Sequence, residues 1–323
     1  MQKLSSEVAC TIDWSPRRHG EWETMLGRIR RSNLLQHYPY AQASRVTRQI
    51  GARHGIIHIE GEPAGLVQLG EVGLLWRLIH AVTLDRGPLW FDDYGTPGHV
   101  AAFFGEIARQ FPRRIGRKRR ILPELPDTEA NRAMLAGLGF VRNATVEGYE
   151  TLWVDLTAPI PKLRANLAGK WRNALSKAER HAVAVVEDRD LETRTTFLAT
   201  YDADRIAKQY AGPSAQTLAT LIDFMAPRRE ALLLNAIGEK GLVASVLILV
   251  HGTSATYQAG WTTSSGRKHS AHHRLLWIAM LLLRDRGVTD FDLGGVNDDS
   301  ASGVKRFKEG LGGETQRLVG LYG

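Results

Sequence analysis

Hydrophobic and polar positions fall into two layouts that recur along this chain. In "HIEGEPAGLVQLGEVG" (58–73) and in "NAIGEKGLVASVLILVHG" (235–252), two apolar runs flank a tight turn that contains glycine. Each predicts a β-hairpin, because glycine supplies the positive φ that such a turn requires. The second layout joins a strand, a polar loop, a helix and a Gly-Leu-Gly exit. It occurs in "RRILPELPDTEANRAMLAGLGFVRN" (119–143) and in "VTDFDLGGVNDDSASGVKRFKEGLGGETQ" (288–316). The exit glycines suit the left-handed conformation of a helix C-cap. A helix is expected before the central strand of each half, at 99–112 and at 270–287, the latter apolar almost all round. Because both pairs recur in the same order, the pattern predicts two copies of one α/β module, with mixed sheets flanked by helices. The first copy is expected over 1–157 and the second over 158–323, divided within "WVDLTAPIPKL" (153–163).

Two segments break the pattern with charge. In 161–188, Leu163, Leu167, Trp171, Leu175 and Ala178 make an apolar stripe that predicts a helix over 162–181. Lys170 and Lys177 share one face of that helix, flanked by Arg172 and Arg180. They make either a solvated basic face or a grip on phosphate or carboxylate groups. "RRIGRKRR" (113–120) precedes the strand "ILPEL" and is expected as an exposed loop. It suits tRNA phosphates or anionic lipid. It has no base-reading aromatics, so any nucleic-acid contact there is blind to sequence.

The sharpest anomaly lies in "GVKRFKEGLGGE" (303–314). Wound as a helix, Val304, Phe307 and Leu311 form an apolar stripe at i, i+3 and i+7, and Lys308 sits on its edge. Lys305 and Arg306 point away. Aligning Gly137-Leu138-Gly139 with Gly310-Leu311-Gly312 pairs Met134 with Phe307 and Leu135 with Lys308. One copy has leucine where the other has lysine. An unpaired ammonium against a core costs on the order of several kcal/mol. Lys308 therefore has a partner, a cleft or a task, or it snorkels to water with its stem packed.

Composition narrows the company this chain keeps. Its 323 residues suffice for two domains, and 43% hydrophobic with 24% charged residues is the balance of a folded, soluble protein. The single cysteine, Cys10, excludes an internal disulfide and a cysteine-based zinc site, and fits a reducing compartment. The N-terminal segment has no apolar core of a signal peptide. The run "LLWIAMLLL" (275–283) is too short to span a bilayer. The expected location is the cytoplasm, with peripheral contact at the inner face of the membrane as a candidate. The net charge of +8 suggests anionic partners: nucleic acid, phosphorylated precursors or a membrane surface.

With these features in place, the chain resembles the FemABX family of aminoacyltransferases, which are built from two GNAT-like modules. The resemblance spans nearly the whole chain. It is carried by "RGPLW" (86–90), by "ELPDTEANRAMLAGLGF" (124–140) followed by "ETLWVDLT" (150–157), by "KWRNALSKAERHAVAV" (170–185) and by "DFDLGGVNDDSASGVKRFKEGLGG" (290–313). It implies two tandem GNAT-like modules, the second of them catalytic; this chain has no long heptad insertion between 186 and 232, so the coiled-coil arm that some members carry is not expected. It implies transfer of an amino acid from aminoacyl-tRNA to an amine of a muropeptide or lipid-linked cell-wall precursor. No cofactor and no metal ligand set is expected. The family's active-site lysine maps onto Lys308. An aminoacyl ester is already activated, so the reaction needs no Ser or Cys nucleophile, but its oxyanion needs a fixed positive donor. Asp292, at the C-terminal edge of a central strand, either orients an amine or caps the following loop. Lys170, Arg172, Lys177, Tyr257, Gln258, His273 and Phe307 are the further candidate substrate contacts.

The chain departs from the family where members hold a nucleotide-linked diphosphate. "QHYPYAQASRVTRQ" (36–49) has Gln42 near the expected lysine, with Arg45 and Arg48 following as candidate phosphate contacts. "YAGPSAQTL" (210–218) lacks the expected arginine. Two other functions stay open. An acyl-CoA-dependent GNAT N-acyltransferase needs a Gly-rich pyrophosphate loop opening a helix. "TTSSGRKHSAHH" (262–273) and "YGTPGHV" (94–100) are both poor in that pattern. His272 and His273 either line the cleft or are structural. The third function is a non-catalytic binder of anionic polymer or tRNA.

Overall fold

A computed structural model describes residues 8–74, 79–181, 183–188, 190–209, 212–239, 241–296 and 302–323. The expected polar loop at 297–301, the start of "YAGPSAQTL" at 210–211, Lys240 of the second hairpin turn and residues 1–7 lie outside them. The chain divides into two units, Met1–Glu150 with Gln316–Gly323, and Thr151–Thr315. Against the expected 1–157 and 158–323, the strand over 150–155 joins the second unit's sheet, and the last eight residues group with the first unit. No described helix is long and apolar enough to cross a membrane.

The first unit runs β1 (Cys10–Asp13), α1 (His19–Leu26), α2 (Tyr38–Arg48), β2 (Gly51–Ile59), β3 (Glu62–Leu74), β4 (Ile79–Gly87), β5 (Leu89–Trp90), α3 (Pro97–Gln110), β6 (Arg117–Pro123) and α4 (Glu129–Gly137). Its sheet has the order β1-β2-β3-β4-β6, with β5 pairing β3. The expected hairpin is β2–β3, turning through Glu60 and Gly61, both at positive φ (51° and 89°). Val100, Phe103, Phe104 and Ile107 recur at helical spacing along α3 and are buried. They share a core with Val67, Leu69, Val82 and Leu84 of the sheet.

The basic segment 113–120 is an exposed loop only over its first half, 113–116. Residues 117–120 form the start of β6, which pairs in parallel with β4 from His80↔Arg117 onward. Its alternation leaves Arg117 and Arg119 half-buried and Lys118 and Arg120 exposed. The Arg119 guanidinium donates to the carbonyls of Phe111 (3.3 Å) and Gly323 (3.4 Å) and lies 4.7 Å over the Phe140 ring. Arg120 pairs with Asp85. Strand pairing and these contacts draw Arg117 and Arg119 partly out of solvent, while Arg113, Arg114, Lys118 and Arg120 stay exposed.

The second unit runs β7 (Glu150–Asp155), α5 (Ile160–Asn166), α6 (Gly169–Arg180), β8 (Ala184–Asp188), α7 (Leu191–Lys208), α8 (Ala215–Met225), β9 (Ala231–Gly238), β10 (Gly241–His251), β11 (Ser254–Thr262), α9 (Ser264–Lys268), α10 (Ala271–Asp285), β12 (Asp290–Gly295) and α11 (Ser302–Glu309). With β13 (Glu314–Arg317), the sheet order is β13-β7-β12-β11-β10-β9-β8. Strand β10 is buried along most of its length, as befits a central strand covered on both faces. Leu275, Leu276, Ala279, Met280 and Leu283 of α10 pack into the same core.

The single helix expected over 162–181 is two. Leu167 and Ala168 are extended (ψ 137° and 146°), ending α5 and starting α6. The backbone N–H of Ala168, which a continuous helix would use internally, donates to Gly310 O at 2.9 Å. The apolar stripe survives the break: Leu163, Leu167, Trp171, Leu175 and Ala178 are all buried. Glu179 then ties α5 to α6 and α10 by accepting from Arg164 (2.6 Å) and Arg274 (3.3 Å).

Candidate functional site

The site grows from an irregularity between β10, β11 and β12. Leu247 pairs with Ala259 and Ile248 with Tyr257, so Gln258 is an extra residue without an opposite number. Such a bulge bends its strand and re-aims neighbouring side chains. On the other side of β11, the parallel ladder to β12 ends at Thr256↔Asp292. Two residues later Gly294 adopts φ +73°, and a Cβ there would lie 3.1 Å from the Tyr257 carbonyl oxygen. Only glycine fits both the conformation and the approach. Gly295 thereby offers its carbonyl to α11.

Lys308 of α11 answers it. Its ammonium donates to Gly295 O at 2.9 Å and lies 5.6 Å from the centre of the Tyr257 ring. The residue is 6% exposed, whereas Val304 is 48% exposed and Phe307 only half-buried. The expected stripe is therefore turned: Lys308 and Leu311 go inward, and Val304 faces out. Lys305, expected to point away, is half-buried; Arg306 is exposed. Burial pushes the Lys308 ammonium down from its ordinary 10.5 to about 8, and the Asp292 carboxylate limits the fall. Asp292 is fully buried, accepts from the Thr151 hydroxyl, and accepts from the Gly294 N–H at 2.8 Å. It braces the end of β12 and supplies the countercharge.

An aromatic wall completes the site. The Tyr257 hydroxyl and His272 Nε2 share a hydrogen bond of 2.9 Å. The Phe307 ring lies edge-to-face with His272 (5.5 Å) and His273 (4.9 Å), and Trp171 lies 4.8 Å from His273. Burial lowers both imidazoles from 6.5 to about 4, with His273 adding to the effect on His272, so both are neutral at pH 7. His272 Nδ1, His273 Nδ1 and Trp171 Nε1 are buried without a hydrogen-bond partner. A wall with unsatisfied polar atoms beside a buried cation suits a polar ligand better than a sealed core.

Of the residues singled out in the sequence, the structure brings together Lys308, Asp292, Tyr257, His273 and Phe307, with Gln258 at the adjoining bulge. Lys170, Arg172 and Lys177 are exposed on α6, and Arg172 donates to Ala165 O at 2.7 Å at the end of α5. The residue of α6 that reaches the wall is Trp171, whose apolar stripe position announced only packing. Arg45 and Arg48 belong to the first unit and are exposed in the last turn of α2. Arg48 lines a cavity of about 40 Å³ together with Tyr40, Thr83 and Asp85. Thr151 and the bulge carry no sequence signal. In the stretch considered for a pyrophosphate loop, a Cβ on Gly266 would lie 2.5 Å from Val243 O, so that glycine serves close packing.

Comparison with known proteins bears on the fold that carries this geometry. Residues 161–309, within the second unit, match the family described as Acetyltransferase (GNAT) domain. No curated protein sequence matches the chain. The crystal structure of FemX matches with a TM-score of 0.76 at 16% identity, covering 95% of this chain and 96% of that one. A conserved protein of unknown function from Bacteroides thetaiotaomicron matches with a TM-score of 0.61 at 12% identity, over 97% of this chain and 98% of that one. A GNAT-family acetyltransferase from Colwellia psychrerythraea matches with a TM-score of 0.53 at 13% identity, over 97% and 98%. The fold is thus the FemABX-type tandem of GNAT-like modules.

Proposed function

We propose that this acyltransferase of FemX-like fold moves an amino acid from aminoacyl-tRNA to an amine of a peptidoglycan precursor. The observation that carries the reading is Lys308: a buried, largely protonated ammonium fixed by Gly295 O and countered by Asp292. Burial of a cation is costly, and Gly295 O and Asp292 compensate only part of it, which fits a lysine kept for a task. In the proposed step, the acceptor amine adds to the ester carbonyl and forms the N–C bond. The ester C–O bond then breaks, and the terminal ribose hydroxyl leaves with the proton shed by the amine. The carbonyl oxygen carries negative charge in between, and Lys308 is the donor aimed at it. Tyr257, Phe307 and His273 shape the pocket for the acyl group. Arg45 and Arg48 are proposed as contacts for phosphates of the acceptor, and the exposed Lys170, Arg172 and Lys177 for those of tRNA. The expected location is cytoplasmic.

The GNAT domain match favours a second reading, an N-acyltransferase that draws its acyl group from acyl-CoA. One experiment separates the two. Purified protein is incubated with an amine-bearing muropeptide and either charged tRNA or acyl-CoA, and product is followed by mass spectrometry. Transfer from charged tRNA supports the first reading. Transfer from acyl-CoA alone replaces it with the second, and transfer from neither points to a binding protein.

A further inference from the structure

The first unit holds a second cluster of chemically capable side chains, with no part in the transfer chemistry. We propose that His19, Glu23 and His37 bind one divalent transition-metal ion of the zinc class. His19 and Glu23 stand one turn apart on α1, so their side chains share a face. His37 lies just before α2, at its N-cap. His37 Nε2 is 3.0 Å from Glu23 Oε2, and His19 Nε2 is 3.4 Å from Glu23 Oε1. One donor atom from each residue falls within 4.8 Å of the other two. A tetrahedral zinc ion with bonds of about 2.0–2.1 Å spaces its ligands by roughly 3.3 Å. The two His–Glu23 separations lie near that value, one to each carboxylate oxygen, and the third, between the imidazoles, lies within 4.8 Å, so the two rings turn inward to close the site.

The frame around these residues is fixed. Trp22, between His19 and Glu23 on α1, donates from Nε1 to Gln36 O at 3.0 Å and so pins the peptide next to His37. Asn33 accepts from the Gln36 N–H at 3.2 Å and sets the same turn. The Tyr38 ring stacks on His19 at 5.0 Å and on His54 at 4.5 Å, which orients the His19 imidazole. His37 is fully buried, while the His19 and Glu23 side chains are 17% and 22% exposed, which provides an entry path. Two imidazole nitrogens converging on one carboxylate is an awkward set for ion pairing alone. Two neutral nitrogens and one carboxylate are instead a ligand set that divalent zinc, cobalt or nickel accepts, leaving a coordination position for water. Such an ion would staple α1 to the start of α2.

The test uses the full chain, freed of metal by chelator and titrated with Co²⁺ alone. The expected result is one equivalent bound, with the visible ligand-field spectrum of a nitrogen- and oxygen-ligated site, displaced by Zn²⁺. Zn²⁺ should also raise the melting temperature. Glu23→Gln and His37→Gln should each weaken Co²⁺ binding at least ~100-fold, judged against the cost of disturbing even a supporting residue. Metal-free melting and far-ultraviolet circular dichroism check that each variant folds. Should buried His37→Gln fail that check, His19→Gln, at a partly exposed position, takes its place. Absence of Co²⁺ binding at millimolar concentration overturns the proposal, as does binding that persists unchanged in the folded variants.

Discussion

Leu135 and Lys308 occupy the same place in the two units, each two residues before the first glycine of a Gly-Leu-Gly exit, and both are buried, at 0% and 6% exposure. The exits themselves agree closely: Gly139 and Gly312 adopt φ of +79° and +78°. One frame thus holds an aliphatic side chain in the first unit and an ammonium in the second. The first needs only packing. The second needs Gly295 O, the Tyr257 ring and Asp292 to be tolerated.

Replacing Lys308 with Met keeps the stem and removes the charge. Under the proposed mechanism turnover falls at least ~100-fold, the scale of losing one oxyanion donor, while acceptor affinity is retained. The same substitution reads out the burial cost. The folded-state pKa of Lys308, about 8, lies below its ordinary 10.5, so the unfolded chain binds more protons between those values. Wild-type stability therefore gains with rising pH across this window, relative to the Met variant. The shift converts to roughly 3 kcal/mol at most. Urea unfolding of both proteins at pH 7 and pH 10 measures it. The advantage of Lys308→Met should be larger at pH 7, and a pH-independent difference would mean that the lysine is solvated.

The rate itself should follow the charge on Lys308. An ammonium that stabilises an oxyanion works below its pKa, so kcat declines as pH rises through about 8. Asp292 is the carboxylate that holds this value up. Asp292→Asn should move the declining limb to lower pH as well as reduce the rate. Single-turnover rates from pH 6 to pH 9.5 test both expectations. A limb that stays in place in Asp292→Asn would separate that carboxylate from the lysine.

Much of the candidate site is legible in the sequence, and the reasons are specific. Lys308 stood out because an internal repeat supplied its own control, Leu135. Hairpins, exit glycines and the long apolar helix α10 follow from local periodicity and turn chemistry. What stayed hidden depends on partners distant in sequence. Helical spacing places Lys308 on the edge of its stripe and ranks Val304 above it; Gly295 O and Asp292 reverse that order. The break at Leu167–Ala168 has no proline to mark it, only Asn166 before and Gly169 after, and its freed N–H finds Gly310 O far along the chain. The second half of 113–120 reads as a charged loop until β4 pairs with it. His19 and Glu23 sit at helical spacing, but nothing local brings His37 to them.

The cations of 113–120 should separate into two classes. Arg119→Gln removes the donors to Phe111 O and Gly323 O and the contact with Phe140. It should cost about 1–3 kcal/mol, as for other half-buried charged hydrogen bonds. Arg113 and Lys118 are exposed, and Arg113→Gln or Lys118→Gln should change stability by less than about 0.5 kcal/mol. If the segment meets tRNA, the exposed pair should instead weaken tRNA binding and flatten its salt dependence. Urea midpoints and filter binding at two salt concentrations distinguish these effects. Equal destabilisation by all three substitutions would contradict the strand assignment.

The equivalent glycines Gly137 and Gly310 offer the cleanest comparison between the two units, because the same substitution should act in opposite directions. Gly137 ends α4, is exposed, and a Cβ there meets nothing within 4 Å. Gly137→Ala should stabilise by roughly 0.4–1 kcal/mol, chiefly by restricting the unfolded chain. A Cβ on Gly310 would lie 2.6 Å from Trp171 Cδ1 and 3.3 Å from Phe307 O. Trp171 is 3% exposed and backs His273, so it has little room to withdraw. Gly310→Ala should therefore destabilise by about 1–3 kcal/mol, the usual cost of overpacking. It should also lower turnover through the displaced wall of the site, with Lys308 still present. Thermal melts and the transfer assay on the two variants provide the check. A Gly310→Ala protein as stable and active as wild type would show that the Trp171 wall yields, and that Lys308 does not depend on it for its position.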